Sequence, residues 1–425
     1  MSKAKSICVT WFLLIFIFIG EGLKAQDYQG FRFMSPSRKK KRYSFKQYNN
    51  LIVIPVRING SRPFNFILDT GVGHTLITDP SVALALGLPV YREINVAGVS
   101  NRTVLKAHVS NISKIQIFKN VVAEKHYVIV LDEDVLNLSG YAGVPIHGLI
   151  GYDMFSKFVI KVNYDKRQLT LFNPEVFNYR KKRRDDIIPL LLEGKKPIVE
   201  AKVICRDKNG KKKKATPIKL VYDTGAGHAL LLYENSSTGI EVPTNNIESH
   251  LGATLSGNLE GKLGRIHKIQ LGKFTLSGII ASFPDSSSYV SMKQFSPRNG
   301  NIGLGLIKRF HTIIDYPNKR LILRPNYHFK EPFEYNRLGL EIIARPPTYK
   351  SYHIAYIRRD SPAVKAGLRQ GDQIIAIDDK MIVNMNISEV YGKLYDLKDD
   401  TKQVAIFVKR GDDYFLARLK VSKSL

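Results

Sequence analysis

The feature that most constrains this chain is a phrase that occurs twice. Residues 67–75 read ILDTGVGHT, and residues 221–229, about 150 positions later, read VYDTGAGHA. Each copy is an apolar pair, Asp-Thr-Gly, a small or apolar residue, Gly and His. The likeness extends far beyond the phrase. Residues 148–171, GLIGYDMFSKFVIKVNYDKRQLTL, align without a gap on residues 300–323, GNIGLGLIKRFHTIIDYPNKRLIL, matching Gly148 to Gly300, Gly151 to Gly303, Phe158 to Phe310 and Tyr164 to Tyr316. Gly151 follows Asp69 by 82 residues and Gly303 follows Asp223 by 80. Self-similarity on this scale means two copies of one structural unit. We place them at residues 43–178 and 179–328, with a charged linker around Asn178–Asp186.

Both copies read as β-structure. Leu51–Ile58 is an apolar run ended by Asn59-Gly60, a hairpin turn signal, and Phe64–Leu68 follows as the return strand. The second copy repeats this with Ile198–Cys205, the turn residues Lys208-Asn209-Gly210, and Ile218–Tyr222. Each hairpin delivers its Asp-Thr-Gly to the end of a strand. Helix is sparse, with short turns expected at Pro80–Leu86 and Tyr152–Ser156.

Two aspartates in equivalent places of two like units invite one site. Carboxylates a few ångströms apart cannot both ionise, so such a pair shares a proton and titrates as a unit. The charged member then takes a proton from water while its partner protonates or polarises a carbonyl. Thr70 and Thr224 suit this arrangement, with hydroxyls able to bond across the axis, and Gly71 and Gly225 let backbone N–H groups approach the carboxylates.

On these residues the chain resembles the pepsin-type and retroviral-type aspartic proteases, in the bacterial form that holds both halves in one chain. The resemblance covers about residues 43–326. It rests on Ile67-Leu68-Asp69-Thr70-Gly71 with Leu149-Ile150-Gly151, and on Val221-Tyr222-Asp223-Thr224-Gly225 with Ile302-Gly303. It implies a mainly β protein of two homologous barrel halves about a pseudo-two-fold axis, in which Asp69 and Asp223 are catalytic. Thr70, Gly71, Thr224 and Gly225 would brace them, Leu149, Ile150, Gly151, Ile302 and Gly303 would form the supporting loops, and neither a cofactor nor a metal is called for. The chain departs from the pattern in three places. Val72 and Ala226 stand where many pepsin-like enzymes carry Ser or Thr, which weakens the outer hydrogen bonding of Asp69; alanine also occurs there in retroviral enzymes. Asn301 replaces the first apolar residue of the second supporting loop.

His74 and His228 each lie five residues after their aspartate. They read as strand residues bonded to backbone, as groups that tune the aspartates, or as a metal pair that no HExxH motif or Cys cluster supports. Proteases of this type need a lid over the bound peptide; Val96–Val99 and Leu251–Gly257 are Gly-containing turns in the right positions.

The last hundred residues change style. Ser361–Leu368, Gly371-Asp372-Gln373-Ile374 and the helical run Ile387–Leu397 resemble a PDZ domain of the kind associated with bacterial proteases, placed at residues 329–425. The resemblance implies a small α+β domain that captures a C-terminal peptide end by strand addition, with Arg337, Leu338, Gly339 and Leu340 as the carboxylate loop and Glu341–Ala344 as the receiving edge. Leu338 and Leu340 also read as plain core residues.

Composition sets the remaining expectations. Lys3 and Lys5 precede an apolar run from Ile7 to Gly20, and Leu23-Lys24-Ala25 offers a small residue before Gln26, the pattern of a signal peptide at residues 1–25. Export to the periplasm, the cell surface or beyond is expected. Cys8 leaves with the leader, so Cys205 is the single remaining thiol and no internal disulfide forms. Much of the net charge of +28 lies in Arg38–Arg42, Arg180–Arg184 and Lys211–Lys214. These runs lack aromatic interleaving or any nucleic-acid motif, so nucleic acid is not an expected partner, whereas an anionic envelope surface is. Residues 26–42 read as a basic linker or a pro-segment with an activating cut. Proteins or peptides are the expected substrates of a monomeric chain. The rival reading is an inactive protease fold that binds peptides through its PDZ domain; the intact second Asp-Thr-Gly speaks against it.

Overall fold

The computed structural model describes residues 13–14, 29–97, 104–207, 209–255, 257–285, 298–395, 397, 403–421 and 425. Of the expected leader only Leu13–Leu14 falls among them, as a two-residue strand parallel to Ala253–Thr254. The first turn expected as a lid, Val96–Val99, lies partly outside them, since only the strand Arg92–Ala97 leading to it is described.

The first half is built on a sheet in the order Gln29–Phe33, Val121–Leu131, Leu76–Ile77, Gly148–Ile150, Phe64–Leu68, Leu51–Ile58, Val104–Ile117, Arg92–Ala97. The apolar run Leu51–Ile58 is almost wholly buried, and its turn places Asn59 and Gly60 at φ 48° and 81°, the left-handed pair that matches the twist of a two-stranded hairpin. The second half repeats the wiring. In each, the strand ending in Asp-Thr-Gly lies parallel to a three-residue strand, with Phe66–Leu68 against Gly148–Ile150 and Leu220–Tyr222 against Gly300–Ile302. That short strand is in turn antiparallel to Leu76–Ile77 or Leu230–Leu232, and these run parallel to Val121–Leu131 or Phe274–Pro284. A strand buried on both faces tolerates this parallel crossing only as continuous apolar sequence, which is what Phe66-Ile67-Leu68 and Leu220-Val221-Tyr222 supply.

The halves meet in a six-stranded sheet ordered Asp186–Pro189, Arg320–Pro325, Phe310–Asp315, Val159–Asn163, Gln168–Phe172, Lys40–Ser44. Its central pairing sets Ile160 opposite Ile314, Lys161 opposite Ile313 and Val162 opposite Thr312. The sequence repeat equates residue 161 with residue 313, so this register is centred on a matched pair and the duplication becomes a two-fold axis. One hydrophobic core runs through both halves, while the C-terminal unit has its own.

Two segments expected as linkers are strands. Gln29–Phe33 joins the edge of the first sheet, and Lys40–Ser44 joins the edge of the shared sheet against Gln168–Phe172. The basic run masked an apolar alternation. Phe31, Phe33 and Phe45 are buried, and Tyr43 stacks on Phe118 with ring centres 4.1 Å apart. The lysines stand exposed on an edge strand, where charge discourages further pairing. The connection between the halves is also pinned. Asp185 is fully buried, receives Arg324 Nε at 2.6 Å, and accepts from the hydroxyl of Tyr179.

The C-terminal unit is a sheet ordered Leu340–Arg345, Ser351–Ile357, Gln373–Ile377, Gln403–Arg410, Asp413–Lys420, with helices Pro362–Lys365 and Ile387–Tyr395. The longer helix opens on a reciprocal cap: Asn386 Oδ1 accepts from Glu389 N–H at 3.1 Å, and Asn386 N–H donates to Glu389 Oε2 at 2.7 Å. Ile387, Val390, Tyr391, Leu394 and Tyr395 form its buried stripe at helical spacing.

Candidate active site

Each Asp-Thr-Gly is held by its neighbouring supporting loop. Asp69 N–H donates to Ile150 O and Asp223 N–H to Ile302 O, both at 2.9 Å. Leu149, Ile150 and Ile302 are fully buried, and Gly151 and Gly303 pack directly on the Asp-Thr-Gly loops. The threonines tie the loops together across the axis. Thr70 N–H donates to Thr224 Oγ1 and Thr224 N–H to Thr70 Oγ1, each at 3.0 Å. Their hydroxyls donate onward, Thr70 Oγ1 to Tyr222 O at 2.5 Å and Thr224 Oγ1 to Leu68 O at 3.0 Å. Four buried bonds that each cross the interface make the loop positions interdependent.

This lattice brings the two carboxyls together. A Cβ on Gly71 would sit 3.0 Å from an oxygen of each aspartate, and a Cβ on Gly225 would come within 2.2 Å of Asp69 Oδ2. Any side chain at residue 225 would collide with the carboxyl. Gly71 N–H donates to Asp69 Oδ1 at 2.6 Å and Gly225 N–H to Asp223 Oδ1 at 2.9 Å, so the inner oxygens are satisfied alike.

The outer oxygens are not alike. Asn301 Nδ2 donates to Asp223 Oδ2 at 3.1 Å, and Asn301 Oδ1 lies 3.1 Å from His228 Nε2. Burial pushes His228 down to about 3, so its ring is neutral. A neutral ring must carry its proton on Nε2 to donate to Asn301 Oδ1, and that fixes the amide with its N–H toward Asp223. In the first half the equivalent loop residue is Leu149, and no donor among the described residues reaches Asp69 Oδ2. The electrostatics follow the geometry. Burial, then the charge of Asp223, holds Asp69 well above the ordinary carboxylate range. Burial also raises Asp223, but Gly225 N–H, the Asn301 amide and a hydrogen bond from Asp69 oppose it. The donors on Asp223 favour charge there and leave Asp69 the better place for a proton.

His74 takes a different path. Its Nε2 lies 3.0 Å from Lys195 Nζ, on the hairpin turn of the other half. The adjacent Thr75 donates to Asp153 Oδ2 from its N–H at 2.7 Å and its hydroxyl at 2.9 Å, and Asp153 also meets His126 Nε2 at 3.4 Å. Among the described residues, no cluster of three or more His, Cys, Asp or Glu side chains is placed to hold a metal ion. Val72 and Ala226 are packed into the core.

Several participants escaped the sequence reading. Asn301 was visible as a polar residue in an apolar slot, though nothing in the sequence said what it faced. Lys196 opens the strand Lys196–Ile204 after the turn from Leu191–Glu193; a positive charge there opposes the rise that burial causes in both aspartates, while burial holds its own ammonium well below its ordinary value. His250, on the strand Asn246–Thr254 that leads into the second turn expected as a lid, meets Glu341 of the C-terminal unit at 3.0 Å. The loop Arg337–Leu340 lies in that unit and not at the aspartates. Leu338 and Leu340 are buried in its core, Arg337 Nη1 donates to Leu397 O at 3.0 Å, and Gly339 N–H donates to Asn336 Oδ1 at 2.9 Å.

Comparison with known proteins covers part of the first half and part of the C-terminal unit. Residues 54–154 match a family model described as aspartyl protease, and residues 353–410 match one described as PDZ domain. A solved aspartic proteinase from Irpex lacteus aligns over 69% of this chain and 99% of its own, at 12% identity and a TM-score of 0.42. A photosystem II D1 C-terminal processing protease aligns over 21% of this chain and 23% of its own, at 23% identity and a TM-score of 0.19. No curated protein matches the sequence. The chain thus carries an aspartyl protease domain and a C-terminal PDZ domain within a mainly β fold.

Proposed function

We propose that the protein is an aspartic endopeptidase in which Asp69 and Asp223 form one catalytic dyad. The observation that carries this reading is the lattice of cross-axis threonine bonds that seats two carboxyls around Gly71. Asp223, charged, takes a proton from the attacking water as its oxygen bonds to the peptide carbonyl carbon. Asp69 gives its proton to the carbonyl oxygen, forming a neutral gem-diol. Collapse breaks the C–N bond; the proton on Asp223 passes to the leaving nitrogen and a gem-diol proton returns to Asp69. No covalent intermediate forms and the dyad ends as it began. Thr70, Thr224 and the supporting-loop residues hold the geometry, and Asn301, oriented by His228, decides which carboxyl is charged. Both aspartates are almost fully buried, and the lid expected at Leu251–Gly257, borne on the hairpin Asn246–Thr254 and Gly257–Leu271, is the element we assign to open for an entering chain.

The PDZ domain supplies peptide-end recognition, and the leader residues direct export. The test is cleavage of an unfolded protein by the purified chain across about pH 3 to 8, beside Asp69→Asn and Asp223→Asn. Cutting by the parent and by neither variant supports one dyad; cutting that survives either substitution refutes it.

A further inference from the structure

The receiving edge of the PDZ domain is already occupied. A peptide that adds as a strand to Leu340–Arg345 needs the backbone groups on that edge and, for its carboxylate, the N–H groups of the preceding loop. Tyr395 donates its hydroxyl to Leu340 O, and Tyr391 donates its own to Ile342 O at 2.7 Å. Both tyrosines come from the groove helix, so the helix is closed onto the strand. Asn336 fills the loop itself: its Oδ1 takes Gly339 N–H at 2.9 Å, and its Nδ2 donates to Leu340 O at 2.6 Å.

The first protease half then covers the closed groove. The short helix Leu138–Ala142 packs against Leu340–Arg345, and Tyr141 joins the hydrophobic core of the PDZ domain. Gly143, at φ 68°, presses so near the groove helix that a Cβ there would stand 2.8 Å from Ile387 Cβ. Asn49 completes the seam. It donates from its side chain to Tyr141 O and from its backbone N–H to Ser388 Oγ at 3.3 Å. Meanwhile Glu341, flanked by the two capped carbonyls, reaches the other way. Its carboxylate meets His250 Nδ1 at 3.0 Å, in a contact buried on both sides, while Tyr356 packs on the His250 ring at 5.1 Å. His250 sits just before the β-bulge that interrupts the pairing of the two lid strands, where Gly252 adopts φ 124°.

We propose that the PDZ groove is an intramolecular latch. In the resting molecule its occupant is the protease half, through Leu138–Gly143 and Asn49, and the latched strand holds the lid through Glu341–His250. A peptide with a free C-terminal carboxylate opens the groove by displacing that seam. Opening moves the strand that carries Glu341 and releases the root of the lid, so groove binding and lid closure are reciprocally coupled. The latch deepens the peptide-end reading above and rests on it for its ligand.

The test uses the full chain carrying Asn49→Cys and Ser388→Cys, two positions outside the catalytic machinery whose side chains touch in the latched form. Oxidation without denaturant should link them; failure to link in the folded protein overturns the latch. The probe is a decapeptide ending in Leu-Val-Val with a free carboxylate, its C-terminal amide serving as control. Reduced protein should bind it at least tenfold more tightly than the cross-linked form and should cut unfolded protein faster. Equal binding by both forms overturns the latch and leaves peptide-end recognition standing. If neither form binds but only the reduced form cuts, peptide-end recognition falls and the latch stands. If neither form binds and both cut alike, both readings fall. In the second arm, Tyr141→Ser should bind the peptide more tightly than the parent, and unchanged binding counts against the latch.

Discussion

Replacing Asn301 with leucine would make the second supporting loop like the first, where Leu149 stands. The substitution removes one hydrogen bond to a charged, buried carboxylate, the 3.1 Å contact from Asn301 Nδ2 to Asp223 Oδ2. Such bonds contribute about 1.5–3 kcal/mol, and one pKa unit corresponds to about 1.4 kcal/mol. The fully protonated dyad gains little from Asn301, whereas the singly and doubly charged forms both contain ionised Asp223 and gain alike. Losing the bond should therefore raise the first ionisation of the dyad by about one to two units and leave the second almost in place. In a profile of kcat/KM against pH, the acid limb moves to higher pH and the alkaline limb stays. A purely structural role predicts something else: a uniform loss at every pH. The variant also removes the side-chain hydrogen bond of His228 Nε2, at a stability cost of about 0.5–1.5 kcal/mol, so profiles belong well below the melting temperature. An acid limb that does not move in folded Asn301→Leu protein refutes the assignment of Asp223 as the charged member.

Three further outcomes follow from the same contacts. Against burial, Arg324 and the Tyr179 hydroxyl hold Asp185 down to about 2. Its stabilisation is present above the unfolded value of 3.8 and lost as pH falls through about 2. Asp185→Asn should cost about 2 kcal/mol in denaturant unfolding at pH 7 and almost nothing near pH 2. Asp69 has the opposite sign, because its folded value is raised and its burial is tolerated in the protonated form. Stability tied to it is present in acid and declines as pH rises, so Asp69→Asn should melt higher than the parent at pH 7 and equally at pH 3. His250 is held above its ordinary 6.5 by Glu341, which overcomes burial, with Glu260, Asn258 and Tyr356 also facing it. That contribution is full below about pH 6.5 and lost as pH rises through the raised value, so His250→Gln should flatten the melting temperature between pH 6 and 8.

The parts legible in the sequence were those the duplication repeats. Hairpins such as Leu51–Ile58 with Phe64–Leu68 follow from apolar runs and an Asn-Gly turn, and they appear with the expected bounds. The meeting of Asp69 and Asp223 follows from symmetry, since equivalent residues near a two-fold axis must approach one another. Legibility failed where charge concealed pattern. Lys40–Ser44 reads as a basic linker because an edge strand needs only one buried face, and Tyr43 and Phe45 were too few to outweigh five consecutive cations. It failed again for contacts between distant segments. Asn49 with Ser388 and His250 with Glu341 join residues with no local signature, and only the folded chain brings them together.

Duplication explains why those late-found contacts matter most. A perfectly symmetric dyad has no reason to ionise one carboxyl rather than the other, yet hydrolysis needs an acid and a base at once. Either the substrate breaks the symmetry on binding, or the protein breaks it beforehand. Here the symmetric elements, namely the threonine bonds, the inner glycine donors and the two supporting-loop carbonyls, only assemble the pair. The departures nearest the carboxyls act on its state. Asn301 with His228 stands on one side and Leu149 on the other, which polarises the pair along a fixed direction. Under the proposed latch the PDZ domain does the same for access. It sits against the first half through Leu138–Gly143 and against the strand Asn246–Thr254 of the second through His250, so a single appended domain touches unlike parts of two like units. A chain that joins both halves covalently can let each drift separately, and these positions are where this one has done so. The order of effects is therefore predictable. Substitutions at the symmetric bonds should abolish assembly of the site, whereas substitutions at Asn301, His228, Glu341 or His250 should leave a folded dyad whose pH dependence or access has changed.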